Sequence, residues 1–182
     1  CRELTAGQRS AKMQQRRPAW RIKVDDELIA FTDMHYGRQQ ANLAHECGDF
    51  ILRRSDGIYA YQLAVVIDDA LMGVNQVVRG CDLLSSTPVQ LYLYRLLKLT
   101  PPSFCHIPLL TDAAGRRLSK RDGDLEIAAL RQHFGNPESI IGLLAYLAGQ
   151  LPKPEPITAA ELLPLFRPEA VPHDNIVVPQ LL

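Results

Sequence analysis

The amino-acid sequence predicts an α/β domain built on a parallel sheet. A β-rich stretch at residues 74–78 is followed by a helix that starts at Thr87-Pro88, and then by a buried strand at residues 104–110. A strand, a helix and a strand in this order are typical of parallel α/β sheets. The chain has 182 residues, of which 47% are hydrophobic, and this is enough to bury the core of such a domain.

The first part of the chain predicts one helix and two strands. Polar residues with few β-branched side chains favour a helix over residues 4–15. Apolar residues then alternate with charged ones over residues 20–24, and a second strand is expected over residues 28–34, with a turn between the two. An Asp-Gly pair at Asp56-Gly57 predicts a hairpin between residues 49–54 and 58–61.

Helix-start signals place the remaining elements. Thr87, Pro88 and Gln90 have the spacing of a capping box, and Thr158 with Glu161 repeats it. Two further helices are expected, over residues 125–134 and over residues 137–151, the second with Asn136 as its N-cap. The last ten residues are expected to form a tail that docks on a neighbouring element.

Charge is balanced overall but unevenly distributed. The chain has 20 basic and 20 acidic side chains, and its basic residues gather in two clusters. The first cluster comprises Arg2, Arg9, Lys12, Arg16, Arg17, Arg21 and Lys23, and the second comprises Arg116, Arg117, Lys120 and Arg121. Such clusters suit a phosphate-bearing partner, and a solvated helix face explains the first one equally well.

Several functional classes conflict with the sequence. It has no run of about eighteen apolar residues, which a membrane helix needs, and no secretory leader, so we expect a cytoplasmic protein without a membrane partner. The four cysteines, at Cys1, Cys47, Cys81 and Cys105, form no Cys-x-x-Cys pair and are expected to be free thiols. Because the chain begins at Cys1 without an initiator Met, we expect a preceding N-terminal portion.

The loop at residues 115–124, with sequence GRRLSKRDGD, has the composition expected for triphosphate chemistry. It has glycine near both ends, four cations and a hydroxyl, and it follows a predicted strand. A mobile loop with a Lys at its tip can follow charge onto a departing pyrophosphate. On composition alone, an ordinary solvated loop is the favoured interpretation.

The surrounding sequence decides between these interpretations. Residues 49–124 closely resemble the second half of the catalytic domain of glutamyl-tRNA synthetases, a class I aminoacyl-tRNA synthetase family. The run Arg117-Leu118-Ser119-Lys120-Arg121 corresponds to the family's Lys-Met-Ser-Lys-Ser signature. The stretch AYQLAVVIDDALMGVNQVVRGCDLL and the closing FRPEAVPHDNIVV are most similar to the truncated paralogue family, the glutamyl-queuosine tRNA(Asp) synthetases.

The resemblance implies a Rossmann-type catalytic domain and three regions. Residues 1–48 would be part of a small β insertion near a zinc site, residues 49–124 the second half of the catalytic domain, and residues 125–182 a helical C-terminal segment. The half that carries the His-Ile-Gly-His-type signature would lie upstream. Cys1 would be the last of four zinc ligands, and the other three would also lie upstream.

The resemblance also implies a reaction and its site residues. ATP, brought with magnesium, would activate L-glutamate to glutamyl-adenylate, and the glutamyl group would pass to queuosine of tRNA(Asp). Tyr61 and Arg79 would bind glutamate. Arg117, Ser119 and Lys120 would bind ATP, with Lys120 as the catalytic residue. The Asp68-Asp69 pair is expected to be structural, no role is assigned to any of the five histidines, and a monomer is expected.

Three functional hypotheses remain open at this point. The first is the queuosine-directed enzyme, of which this chain is expected to be an incomplete part. The second is a piece of an ordinary glutamyl-tRNA synthetase that charges tRNA(Glu). The third is a non-catalytic RNA-binding remnant.

Overall fold

The computed structural model describes residues 2–118 and 127–178, with the side chains of residues 127–129 left out. The helices are α1 (Ala6–Gln15), α2 (Leu43–Glu46), α3 (Tyr61–Leu71), α4 (Thr87–Leu96), α5 (Ile127–Phe134), α6 (Pro137–Leu147) and α7 (Ala159–Leu162). The strands are β1 (Trp20–Ile22), β2 (Leu28–Asp33), β3 (Gly37–Asn42), β4 (Phe50–Arg53), β5 (Gln76–Gly80), β6 (Ser103–Ile107), β7 (Leu110–Thr111) and β8 (Ile176–Val177). The chain divides into two compact units, one of Cys1–Val77 and Leu83–Cys105, the other of Val78–Asp82 and His106–Leu182.

Helix α1 is a surface helix with a defined start. The Thr5 hydroxyl accepts a hydrogen bond from the Gln8 amide at 3.3 Å, and the Gln8 side chain accepts one from the Thr5 amide at 2.9 Å. This reciprocal capping box satisfies two amides that have no partner inside the helix. No residue of α1 is buried. The helix predicted over residues 4–15 is confirmed, and it keeps its polar side chains in solvent.

The strands of the first unit form two antiparallel pairs. β1 pairs with β4, and β2 pairs with β3 in a hairpin whose turn is closed by buried Asp33. One Asp33 carboxylate oxygen accepts from the amides of His35 and Tyr36 at 3.1 and 2.9 Å. The strands predicted over residues 20–24 and 28–34 are confirmed. Strand β3, with sequence GRQQAN, was not predicted because it has almost no apolar alternation.

The Asp56-Gly57 turn forms, but its second arm is short. Gly57 has a φ of +93°, which glycine adopts without strain, and the Arg54 amide donates to the Ile58 carbonyl at 2.8 Å. Beyond the turn, only the single bridge between Arg53 and Tyr59 continues the ladder. The strand predicted over residues 58–61 is therefore wrong, because Tyr61 already begins α3.

Helix α4 supplies the core of the first unit. Its residues Val89 and Tyr92 pack with Val24, Ile29 and Leu43, while Leu93 and Tyr94 pack with Val66 of α3. The Gln90 side chain, 2% exposed, donates to the Gln62 side chain at 2.8 Å and so joins α4 to α3. Burial of these side chains is the dominant favourable term in the folding of the unit.

The helix at Thr87 was predicted correctly, but its capping box is wrong. A 3₁₀ helix, Cys81–Ser86, runs directly into α4, so the N-cap position falls on Ser86, which makes no side-chain capping bond. The Thr87 hydroxyl donates instead to the Leu83 carbonyl at 3.4 Å. Because the 3₁₀ helix continues directly into α4, the first turn of α4 is not a free helix end, and a capping box is not needed there.

The predicted strand–helix–strand order is found as β5, α4 and β6, and β5 pairs with β6. The strand predicted over residues 104–110 is interrupted after Ile107, where Pro108 offers no amide to a ladder. It resumes as β7, which pairs in parallel with β8 near the end of the described chain. The docking element expected for the tail is thus β7.

Local capping signals define the helices of the second unit. The Asn136 side chain accepts from the Ser139 amide at 2.8 Å, and Thr158 with Glu161 forms a complete capping box. Helix α6 ends at Leu147 rather than at residue 151, because Gly149 adopts a φ of +70° that closes the helix. The start of the helix predicted over residues 125–134 lies partly outside the described residues.

Candidate active site

Arg79 is held by a buried histidine. The Nε of Arg79, on β5, donates to the Nε2 of His106, on β6, at 2.9 Å. His106 is 0% exposed, and both residues belong to the second unit. In this bond the Nε2 atom of the His106 ring is the acceptor. The bond orients the plane of the guanidinium, the group that pairs with carboxylates in a fork geometry.

The residue after Arg79 has two close side-chain neighbours. A Cβ added to Gly80 would lie 2.6 Å from the Asp82 carboxylate and 2.8 Å from the Leu109 side chain. Both distances are shorter than real Cβ contacts, so a side chain at this position would displace its neighbours. Gly80 therefore allows the end of β5 to pack closely beside the start of the 3₁₀ helix.

The same segment contacts the predicted ATP-binding loop. The Arg117 guanidinium donates to the Asp82 carboxylate and forms an ion pair with it. The backbone of Arg117 also forms an antiparallel β-bridge with Thr111 of β7, and the Leu118 amide donates to the Leu110 carbonyl at 3.1 Å. The chain thus enters the signature run from an anchored hairpin, and Asp82 joins this hairpin to the strand that carries Arg79.

A short turn precedes the signature run. One carboxylate oxygen of Asp112 accepts from the amides of Ala114 and Arg116, and the other accepts from the Arg116 side chain at 3.0 Å. Gly115 takes a φ of +79° in this turn. The hydrogen bond from the Arg116 side chain lowers the pKa of Asp112, so this carboxylate stays charged at neutral pH.

Tyr61 is placed differently, at the beginning of α3 in the first unit. Its side chain is 56% exposed, so the Tyr61 ring is not part of the hydrophobic core. The N-cap residue, Ala60, makes no side-chain capping bond, and the first turn of α3 contains no acidic residue. The positive end of the helix dipole at Tyr61 is consequently compatible with a nearby anion.

Three of the predicted site residues, Cys1, Ser119 and Lys120, lie outside the described residues. Their roles in metal binding, ATP binding and catalysis stay predictions. Among the described residues, His, Cys, Asp and Glu side chains form no group of three or more that could hold a metal ion. The described residues do not fit a zinc site by themselves.

A family model described as tRNA synthetases class I (E and Q), catalytic domain, matches residues 1–162 of the chain. The chain belongs to this class I tRNA synthetase family. The α/β fold class predicted from the sequence is confirmed by this match.

Comparison with curated relatives shows which members of the family this chain is similar to. The Glutamyl-Q tRNA(Asp) synthetase of Nitratidesulfovibrio vulgaris is 49% identical over 180 residues, which cover 98% of this chain and 56% of that protein. The enzyme of the same name from Symbiobacterium thermophilum is 45% identical, with 98% and 55% covered. The predicted resemblance to this group is confirmed, and the chain spans just over half the length of these relatives.

Solved structures support the fold of this synthetase family member. The glutamate-tRNA synthetase of Elizabethkingia anophelis superposes with a TM-score of 0.73 at 24% identity, covering 97% of this chain and 40% of that one. A glutamate tRNA ligase from Elizabethkingia meningosepticum, in complex with its amino acid, gives a TM-score of 0.71 at 24% identity. In the part of the chain that is described, no helix is long and apolar enough to cross a membrane.

His106 and Asp82 are the site residues that sequence reasoning left without a role. The structure pairs the Asp82 carboxylate with Arg117. A signal for His106 was available: in SFCHI it lies two residues after buried Phe104, on the inward face of β6. A histidine on such a face needs a polar partner, and β5 beside it carries Arg79.

Proposed function

We propose that this chain is the glutamate-binding and loop-bearing half of an enzyme that activates glutamate with ATP and transfers it to queuosine of tRNA(Asp). The observation that carries the proposal is the 49% identity, over nearly the whole chain, to a Glutamyl-Q tRNA(Asp) synthetase. In this proposal residues 1–48 belong to the insertion, residues 49–124 to the second half of the Rossmann-type domain, and residues 125–182 to the C-terminal segment.

The amino-acid side of the reaction needs a fixed cation. Glutamate carries two carboxylates and one ammonium, and the guanidinium of Arg79 offers a planar fork to a carboxylate. The hydrogen bond that Arg79 donates to His106 fixes that fork, so less conformational entropy is lost when the substrate binds. The Tyr61 hydroxyl, on an exposed ring at the start of α3, is the second proposed contact.

The nucleotide side uses the signature loop. A carboxylate oxygen of glutamate attacks the α-phosphorus of ATP, a new oxygen–phosphorus bond forms, and the bond to the bridging oxygen breaks as pyrophosphate leaves. Lys120 stabilises the charge that grows on the leaving phosphates, with Ser119 and Arg117 shaping the loop. A single contact of this kind contributes about 3–4 kcal/mol in the transition state. Magnesium enters with ATP and needs no dedicated protein cage.

The loop and the amino-acid strand are joined through Asp82. Because its carboxylate pairs with Arg117, the base of the loop has a fixed position relative to Arg79. The zinc site remains a proposal that involves Cys1 and ligands from a longer chain. We also propose that the enzyme acts as a monomer in the cytoplasm, where its tRNA substrate is found.

Labelled glutamate tests the acceptor. The protein in its natural length is incubated with ATP and [¹⁴C]glutamate, and radioactivity is measured on purified tRNA(Asp) with queuosine, on tRNA(Asp) without it, and on tRNA(Glu). We expect label only on queuosine-bearing tRNA(Asp). Label on tRNA(Glu) would support the second hypothesis, a piece of an ordinary glutamyl-tRNA synthetase. If the protein does not activate glutamate at all, the third hypothesis, a non-catalytic RNA-binding remnant, would be supported.

A further inference from the structure

The first basic cluster of the sequence lines a single groove in the first unit. The groove has a cavity volume of about 930 Å³ and lies between α1 and the segment of residues 17–23, which contains β1. Its cationic lining residues are Arg2, Arg9, Lys12, Arg16, Arg17, Arg21 and Lys23, and its one acidic lining residue is Asp49. The charge that the sequence distributes over 22 positions is therefore concentrated in one concave surface.

Two secondary-structure periods produce this convergence. Arg9 and Lys12 are three residues apart on α1, so their side chains lie on one face of the helix, and Arg16 follows as the C-cap residue in an extended conformation. Arg21 and Lys23 are two residues apart on the opposite wall, and residues with this spacing share one face of an extended chain. Leu4, Met13 and Pro18 add apolar lining between these walls. The cations therefore face a common space instead of spreading over a solvated helix.

The groove's acidic residue is already engaged. Asp49 accepts from the Val24 amide at 3.1 Å and pairs with Arg2 at 3.6 Å. Within residues 2–118 and 127–178, no ion pair involves Lys12, Arg16 or Arg17, nor does one involve the opposite-wall residues Arg21 and Lys23. Like charges held together in this way repel one another, and an external polyanion relieves that repulsion.

We propose that this groove binds the phosphate backbone of RNA. Five of its seven cations are arginines, whose planar forks match phosphate oxygens. From Arg9 to the last helical residue, Gln15, α1 rises about 9 Å, which spans more than one phosphate of a nucleic-acid strand. Helix α1, with sequence AGQRSAKMQQ, has Met13 as its only large apolar side chain, so it lacks the apolar face that a membrane-surface helix inserts between lipids. The inference rests on the proposed function only where it names the bound RNA as tRNA(Asp).

The test measures binding separately from glutamylation. The protein in its natural length is titrated against labelled tRNA(Asp) lacking queuosine, without ATP, in a filter-binding assay from 50 to 200 mM KCl. The variant Lys12→Ala/Arg16→Ala removes two exposed groove cations, one inside α1, where alanine is well tolerated, and one at the C-cap of that helix. We expect affinity to fall about tenfold or more at low salt, and the plot of log K against log salt to become less steep by about two.

The matched control removes two cations outside the groove. Arg38 and Lys98 are exposed residues of the same unit, and Asn at position 98 tolerates the φ of +56° found there. The variant Arg38→Ala/Lys98→Asn should bind nearly as the parent does. Equal losses in both variants, or no loss in either, would overturn the proposal. Tighter binding of a poly-glutamate peptide of equal charge than of tRNA would also overturn it and indicate a protein partner.

Pyrophosphate exchange separates this proposal from the proposed function. The Lys12→Ala/Arg16→Ala variant should exchange pyrophosphate at the parent rate, since neither residue contacts glutamate or ATP in the proposed site. An intact exchange rate with unchanged RNA affinity would contradict the groove while leaving glutamate activation in place. A parent protein that binds tRNA through the groove but exchanges no pyrophosphate would contradict the proposed function alone.

Discussion

Arg79→Lys is the substitution that most directly tests the proposed glutamate site. In the parent, Nε of Arg79 donates to the buried His106 ring at 2.9 Å, and the rest of the fork is oriented by that bond. A lysine ammonium is a point charge on a flexible stem, so it reproduces neither the bond to His106 nor two parallel hydrogen bonds to a carboxylate. The substitution therefore keeps the positive charge at position 79 but removes the fork geometry that pairs with a carboxylate.

The size of the effect follows from the interaction that is lost. A hydrogen bond to a charged group contributes about 1.5–3 kcal/mol, and about 1.4 kcal/mol corresponds to a factor of ten in affinity. We therefore expect the KM for glutamate to rise roughly 10- to 150-fold, with the KM for ATP nearly unchanged. ATP–pyrophosphate exchange, measured against each substrate in turn, gives both constants.

Variants of His106 provide the control for positioning. His106→Gln retains a side-chain oxygen that can accept from Arg79, whereas His106→Leu has no acceptor. We expect His106→Leu to raise the KM for glutamate and His106→Gln to restore much of the parent value. Equal increases of both KM values in Arg79→Lys, or a loss of the folded state in circular dichroism, would refute the reasoning and assign Arg79 a structural role.

Three further outcomes are expected. Lys120→Ala should slow pyrophosphate exchange by roughly two orders of magnitude or more while glutamate binding changes little, and an unchanged rate would contradict the assignment of the loop. Gly142→Ala should lower stability by about 1–3 kcal/mol in thermal unfolding, because the new Cβ would lie 1.9 Å from the Glu155 carbonyl; Gly7→Ala, with open space around it, should instead stabilise α1 slightly. Burial and, secondarily, the charge of Asp33 raise the pKa of the Cys105 thiol, so alkylation of Cys105 followed by mass spectrometry should be slower at pH 8 than for a free thiol and should accelerate at higher pH.

Local signals in the sequence predicted the fold well where side chains cap their own helix. Asn136 and the Thr158–Glu161 box could be recognised because donor and acceptor lie within three residues. The same logic was wrong at Thr87, where the 3₁₀ turn before α4 changes which residue occupies the cap. Strand partners were beyond local reasoning, since β1 pairs with β4, roughly thirty residues later, and the polar β3 has no hydrophobic period to detect.

The candidate site shows a similar division. Tyr61, Arg79 and Arg117 were identified through family resemblance, because an exposed Tyr or a half-buried Arg has no distinctive pattern in sequence. His106 and Asp82 act on these residues across strands and loops, and such contacts depend on tertiary packing. A buried histidine in a predicted strand could still have prompted a search for its partner, since buried polar groups are nearly always hydrogen-bonded.

Asp82 links the two parts of the candidate site. A carboxylate between the strand end that carries Arg79 and the hairpin that carries Arg117 lets one residue set the positions of both. Arg117 is largely exposed, so solvent screens the pair and its contribution to global stability is small. Its value would instead lie in holding the entry to the Lys120 loop in place while a carboxylate on Arg79 approaches the α-phosphorus. Because proximity and orientation contribute strongly to such a step, Asp82→Asn should lower the rate of glutamyl-adenylate formation far more than it lowers the melting temperature. Pyrophosphate exchange and thermal unfolding of the same preparation measure the two effects, and a fall in melting temperature that accounts for the lost rate would contradict this role.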